Sequence, residues 1–173
     1  MIELVLGGAR SGKSRYAEQQ AIESGKEVIY IATAEARDDE MKARIGLHQQ
    51  SRPQHWVTVE EPIKLASVIN KYDQQNSCLL VDCLTLWLSN ILFDKKGELQ
   101  QTVFDNETTA LFDSLAQFSG QIILVSNELG LGVIAMDKMT RRFVDEAGLL
   151  HQKIATLSDK VVLVTAGLPQ VLK

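Results

Sequence analysis

Gly7, Gly8, Ala9, Arg10, Ser11, Gly12, Lys13 and Ser14 stand directly after the apolar run from Ile2 to Leu6 and spell a G-x-x-x-x-G-K-[ST] pattern. A strand that ends in glycines can turn tightly and converge its backbone N–H groups on an anion, and the helix that follows adds the positive end of its dipole. Lys13 then reaches the β- and γ-phosphates of a nucleotide, and the Ser14 hydroxyl becomes a ligand for Mg²⁺. The chemistry this implies is handling of nucleoside triphosphates. A chance glycine-rich turn is the bland alternative, and the strand before and helix after the loop argue against it.

Four further groups could take part. Asp82 closes the apolar run from Cys78 to Val81, where a phosphate-loop protein places a carboxylate to hold the Mg²⁺ shell, although an aspartate there can also simply cap the next helix. His48 falls on the apolar face of an expected helix from Asp38 to Gln50, in register with Met41 and Ile45. It reads either as a hydrogen-bonded core histidine or as a nucleophile whose neutral imidazole attacks phosphorus. His55 is the rival candidate, while His151 is expected off the apolar stripe of its helix, in a structural or exposed role. Asn127, Glu128, Gly130 and Gly132 follow a strand and so belong at the carboxyl edge, where open α/β sheets bind ligands. Glu128 there positions a water, a substrate hydroxyl or the metal shell, or faces solvent in a plain connection. Thr33 to Glu35 reach the same edge.

The elements that must hold these residues are legible as alternation. Buried-strand runs are expected at Ile2 to Leu6, Val28 to Ala32, Cys78 to Val81, Gln121 to Val125 and Val161 to Thr165, separated by helical spacing. That pattern implies an α/β fold with a mostly parallel sheet and helices on both faces. Ser14 to Ser24 reads as the helix behind the loop, ended by Gly25. A long helix starts at the N-cap Asp137 and carries Met139, Phe143, Ala147, Leu150, Ile154 and Leu157 on one stripe. Asp94 to Glu98 breaks two helices, and Gly167-Leu168-Pro169 turns the chain into a short edge strand.

The 173 residues, 45% hydrophobic and 23% charged, suit one domain spanning the whole chain. A net charge of -4 with scattered basic residues argues against a nucleic-acid partner. Cys78 and Cys83 lack the neighbours of a zinc site and read as free thiols. The apolar start is too short for a signal peptide or membrane span, so a cytoplasmic enzyme is expected.

In order and spacing, the phosphate loop, Tyr30-Ile31-Ala32-Thr33, Ala43-Arg44-Ile45 with His48, Arg52-Pro53-Gln54-His55-Trp56, Val81-Asp82-Cys83-Leu84-Thr85 and Ser126-Asn127-Glu128-Leu129-Gly130-Leu131-Gly132 resemble one family. It is the bifunctional adenosylcobinamide kinase and adenosylcobinamide-phosphate guanylyltransferase family of cobalamin biosynthesis. The phosphate loop is shared with many families; the histidine stretch and the Asn-Glu-x-Gly-x-Gly loop are specific to this one. The resemblance implies a RecA-type P-loop fold and usually a homotrimer. It implies transfer of the γ-phosphoryl group of ATP or GTP to adenosylcobinamide, then of GMP from GTP to the new phosphate through a guanylyl-histidine at His48. With the nucleophile it places on His48, the expected catalytic set is His48, Lys13 and Glu128. Nucleotide binding is expected of the loop from Gly7 to Ser14 with Thr33, Glu35, Arg52 and Asp82, and the pattern of the loop and the strand tip gives Mg²⁺ to Ser14 and Asp82. One departure is Leu47, where some relatives carry a second histidine. A single-activity phosphate-loop kinase and a GTP-binding switch without a covalent intermediate are the competing readings.

Overall fold

The computed structural model describes residues 1–34, 53 and 55–173. Among them, seven strands form one sheet: β1 (Ile2–Gly7), β2 (Glu27–Ala32), β3 (Val57–Glu60), β4 (Ser77–Asp82), β5 (Gln121–Asn127), β6 (Lys160–Thr165) and β7 (Leu168–Val171). The helices are α1 (Lys13–Glu23), α2 (Leu65–Lys71), α3 (Leu84–Leu92), α4 (Gln101–Gln117) and α5 (Lys138–Leu157). The strand order is β3-β2-β4-β5-β1-β6-β7. Every pairing is parallel except β6 with β7, which turns back through Ala166 and Gly167, both at positive φ.

Central strands are buried on both faces because helices cover both, and that is why they read as unbroken apolar runs. Leu4, Ile31, Leu79, Val81, Ile122 and Leu124 pack against Leu65, Ile69, Leu84, Trp87, Leu88, Leu111, Leu150 and Ile154, so α2 to α5 cover one face. The other face carries Val5, Val28, Tyr30, Leu80, Ile123, Val125 and Val162 against Ala17 and Ala21 of α1. Small residues let α1 sit close to the strand it follows. Gly25, at φ 63°, terminates that helix as the spacing predicts.

β3 is absent from the sequence expectations. Its four residues sit at a sheet edge and are mostly exposed, so no apolar run marks it; the signal it does carry is alternation, Val57 and Val59 against Thr58 and Glu60. The break from Asp94 to Glu98 is as expected: Asp94 Oδ1 accepts from the N–H groups of Lys96 and Glu98, both at 2.8 Å, and Phe93 bridges Leu99. The expected helix from Asp38 to Gln50, with its acidic start, lies outside the described residues.

The stripe on α5 needs correction. Asp137 caps the helix, accepting from Thr140 N–H at 2.8 Å. Ala147, Leu150 and Ile154 are buried, whereas Leu157, the last residue of the helix, is 36% exposed. His151 lies on the stripe, not off it, and is 7% exposed. At 3.6 residues per turn it falls between Ala147 and Ile154, a place that counting only apolar residues passes over.

Candidate active site

β1 delivers the glycine loop to the carboxyl edge of the sheet. A Cβ on Gly7 would lie 2.6 Å from the Val164 carbonyl oxygen and against Ser11 Oγ, so only glycine permits this turn. Gly12, at φ 96°, precedes α1 in the left-handed region and sits against Gly167. The loop is tied down by Ser11 N–H to Gly8 O at 3.2 Å and by Gly167 N–H to Ser11 O at 2.8 Å. Lys13 folds back, its Nζ donating to Gly8 O at 3.1 Å. No side-chain hydrogen bond caps the start of α1 among the described residues, and its first turn holds no acid, an arrangement whose dipole favours an anion. Ser11 Oγ is buried without a hydrogen-bond partner among the described residues.

Two strands bring carboxylates to this edge. Glu128 follows β5, and its backbone N–H donates to Gly7 O at 3.0 Å, which places it beside the phosphate loop. Its side chain does not simply face solvent: Oε1 accepts from Gly130 N–H at 2.6 Å, and Oε2 is 3.9 Å from His151 Nδ1. Asp82 ends β4, one strand further, level with Val125 of β5. The helix-cap reading does not apply to it, since Cys83 is the N-cap of α3. Asp82 Oδ2 instead accepts from the Tyr30 hydroxyl at 3.0 Å. Tyr30 stands in the sequence within an apolar run, and its bond to Asp82 comes from the pairing of β2 with β4.

Thr33 is fully buried and braces this corner. Its hydroxyl donates to Cys83 O at 2.7 Å and accepts from Cys83 N–H at 2.9 Å, while Asn90 Nδ2 donates to Thr33 O at 2.9 Å. Its side chain therefore secures the Asp82–Cys83 backbone. Cys78 and Cys83 are free and buried, and burial pushes both thiols up to about 11, so neither supplies a thiolate at neutral pH.

His55 is exposed and precedes β3. Val57 starts that strand three rungs before Glu60, which is level with Ala32 and, through it, with Asp82. The start of β3 is thus about 10 Å from the carboxyl edge at ~3.3 Å per residue, and His55 lies beyond it. His48, Glu35 and Arg52 lie outside the described residues.

Behind the edge, Thr85, Ser126 and His151 are linked in a way the sequence does not show, and of the two roles expected for His151 the structural one holds. Thr85 Oγ1 accepts from Asn127 N–H at 2.7 Å and lies 3.1 Å from Ser126 Oγ, which lies 2.7 Å from His151 Nε2. Burial lowers the His151 pKa below its ordinary value, with the Glu128 charge opposing, so the ring is neutral at pH 7.

This constellation of a phosphate loop with carboxylates on neighbouring strands suits phosphoryl chemistry, and comparison with known proteins decides which. The model of the cobinamide kinase / cobinamide phosphate guanyltransferase family matches residues 3–172. The chain belongs to that family. As a member it is a bifunctional enzyme, a kinase and a guanylyltransferase. It is 53% identical over 174 residues to the bifunctional adenosylcobalamin biosynthesis protein CobP of Pseudomonas aeruginosa, covering 100% of this chain and 98% of the relative. It is 38% identical over 177 residues to the corresponding CobU protein of Escherichia coli, covering 97% of each. Among solved structures, the RadB recombinase superposes with a TM-score of 0.52 at 16% identity, covering 94% of this chain and 73% of that one. The flagellar accessory protein FlaH from Methanocaldococcus jannaschii gives 0.52 at 14% identity, covering 99% and 77%. These likenesses show the fold, and it is the RecA-type P-loop arrangement.

Proposed function

We propose that this family member, a single P-loop domain, phosphorylates adenosylcobinamide and then guanylylates the product in assembly of the nucleotide loop of cobalamin. The observation that carries the reading is the bond from Glu128 N–H to Gly7 O, which puts a carboxylate beside the phosphate loop. In the kinase step the aminopropanol oxygen attacks the γ-phosphorus of ATP or GTP, the bond to the β–γ bridging oxygen breaks, and Glu128 takes the hydroxyl proton. Lys13 and the amides of the loop from Gly7 to Ser14 neutralise charge on the polyphosphate.

In the second step the His48 imidazole attacks the α-phosphorus of GTP and pyrophosphate leaves. The phosphate of adenosylcobinamide phosphate then displaces the histidine, giving adenosylcobinamide-GDP. His55, at the far end of β3, is poorly placed to compete within one chain. Glu35 and Arg52 join the nucleotide contacts on the strength of the family resemblance, and Thr33 contributes by bracing Asp82. The enzyme works in the cytoplasm as a homotrimer.

Ser14 and Asp82 offer the hydroxyl and carboxylate oxygens that suit Mg²⁺. Substrate phosphates would complete the ion's shell. Bound there, Mg²⁺ would supply charge neutralisation on the transferring phosphate.

The test follows both products in Lys13→Ala. Formation of adenosylcobinamide phosphate and of adenosylcobinamide-GDP should each fall by about 100-fold or more. Guanylylation at the wild-type rate with kinase activity lost would refute a shared phosphate site.

A further inference from the structure

The chain formed by Thr85, Ser126 and His151 is a costly thing to build in the middle of an apolar face. Thr85 is on α3, Ser126 on β5 and His151 on α5, all buried among Leu124, Leu150 and Ile154. Apolar side chains of similar shape would fill this space without desolvating three polar groups. The chain's two ends explain what the polar version achieves, because both lie on the segment that leaves β5: Asn127 N–H at one end, the Glu128 carboxylate at the other.

The hydrogen-bond directions are set by these ends. Thr85 Oγ1 accepts from Asn127 N–H, and a carboxylate near Nδ1 favours the tautomer with its proton on that nitrogen. Nε2 must then accept from Ser126 Oγ–H, and Ser126 accepts from Thr85. Each hydroxyl donates once and accepts once, so both hydroxyls and Nε2 are satisfied. At 3.9 Å the step from Nδ1 to Glu128 is an electrostatic contact rather than a hydrogen bond. It leaves Oε2 free to turn toward a substrate while Gly130 N–H holds Oε1.

We propose that His151, supported by Ser126 and Thr85, is a positioning residue for the kinase step, aiming the Glu128 carboxylate at the acceptor hydroxyl beside the phosphate loop. This rests on the reading of Glu128 as the group that receives the hydroxyl proton. His151 does not touch the reacting atoms. It fixes one oxygen's neighbourhood from behind, and a displacement of about 1 Å at such a carboxylate can cost up to ~100-fold in rate.

The experiment measures kinase kcat and nucleotide KM for Glu128→Gln, His151→Leu, His151→Gln and the double variant Glu128→Gln/His151→Leu, each verified as folded by its thermal transition. Glu128→Gln should lose most of kcat. His151→Leu should lose about 10- to 100-fold in kcat with KM for the nucleotide unchanged, and His151→Gln, which can still meet Ser126, should recover much of that loss. The double variant should be no slower than Glu128→Gln alone, because the histidine acts only through the carboxylate. Should His151→Leu not fold, Ser126→Ala breaks the same chain with almost no change in volume and should give the same split. A folded His151→Leu, or in its place Ser126→Ala, at the wild-type kcat overturns the proposal. So does a double variant whose losses multiply. Wild-type kcat in Glu128→Gln overturns the assignment of Glu128 beneath it, and the proposal with it.

Discussion

His151 shows how one buried side chain links stability to pH. Its folded-state pKa lies below the ordinary value near 6.5, because burial disfavours the charged ring more than Glu128 favours it. The unfolded chain therefore binds a proton that the native chain refuses as pH falls below about 6.5, and stability is lost in that range. The contribution is fully present above that value. Thermal transitions recorded from about pH 7.5 down to about pH 5.5 should fall more steeply for the wild type than for His151→Asn. Equal slopes would show that the ring protonates as readily in the folded protein as in the unfolded one. The same residue explains a failure of sequence reading: its helical position was available from spacing, but its partners come from α3 and β5, and no local pattern reveals contacts across that separation. Glu128 was legible as an edge residue from the strand before it, whereas its tie to Gly7 is a cross-strand fact.

Among the elements, β1 and α1 carry the phosphate loop, and a polar cluster at the opposite end of the sheet fastens them together. Glu3 is 1% exposed, pairs with Lys160 at 3.0 Å and accepts from the Tyr16 hydroxyl at 3.0 Å, while Lys160 donates to Tyr16 at 2.8 Å. β1, α1 and β6 thus meet at one point: the two strands border the loop at their other ends, and α1 reaches the cluster through the Tyr16 side chain from its first turn. The two charges are not equivalent. Lys160 is 32% exposed and can reach water if its partner is removed; Glu3 cannot. Lys160→Ala, which strands the carboxylate, should cost about 3 kcal/mol, and Glu3→Gln only about 1 kcal/mol. Chemical denaturation of both variants checks this, and the reverse order would mean that water reaches Glu3. Strand positions at this level were readable from sequence because central strands are apolar on both faces. β3 was not, since an exposed edge strand needs no such run, and the charged cluster was not, since Glu3 and Lys160 lie far apart along the chain.

For the whole molecule, the RecA-type order of strands places β5 between the strand that carries the phosphate loop and the strand that ends in Asp82. The segment after β5 is therefore flanked by the phosphate loop and the Asp82 carboxylate. His55 precedes β3, at the end of that strand away from this edge, and the proposed nucleophile is His48. Brief incubation with GTP labelled at the α-phosphate, without any corrinoid, tests this most directly. The wild type and His55→Asn should acquire covalent label that survives alkali and is released by acid, as a phosphoramidate requires, while His48→Asn and Lys13→Ala should acquire none. Label that persists in His48→Asn, or a wild type that takes up no label, would contradict a guanylyl-histidine formed at a shared phosphate loop.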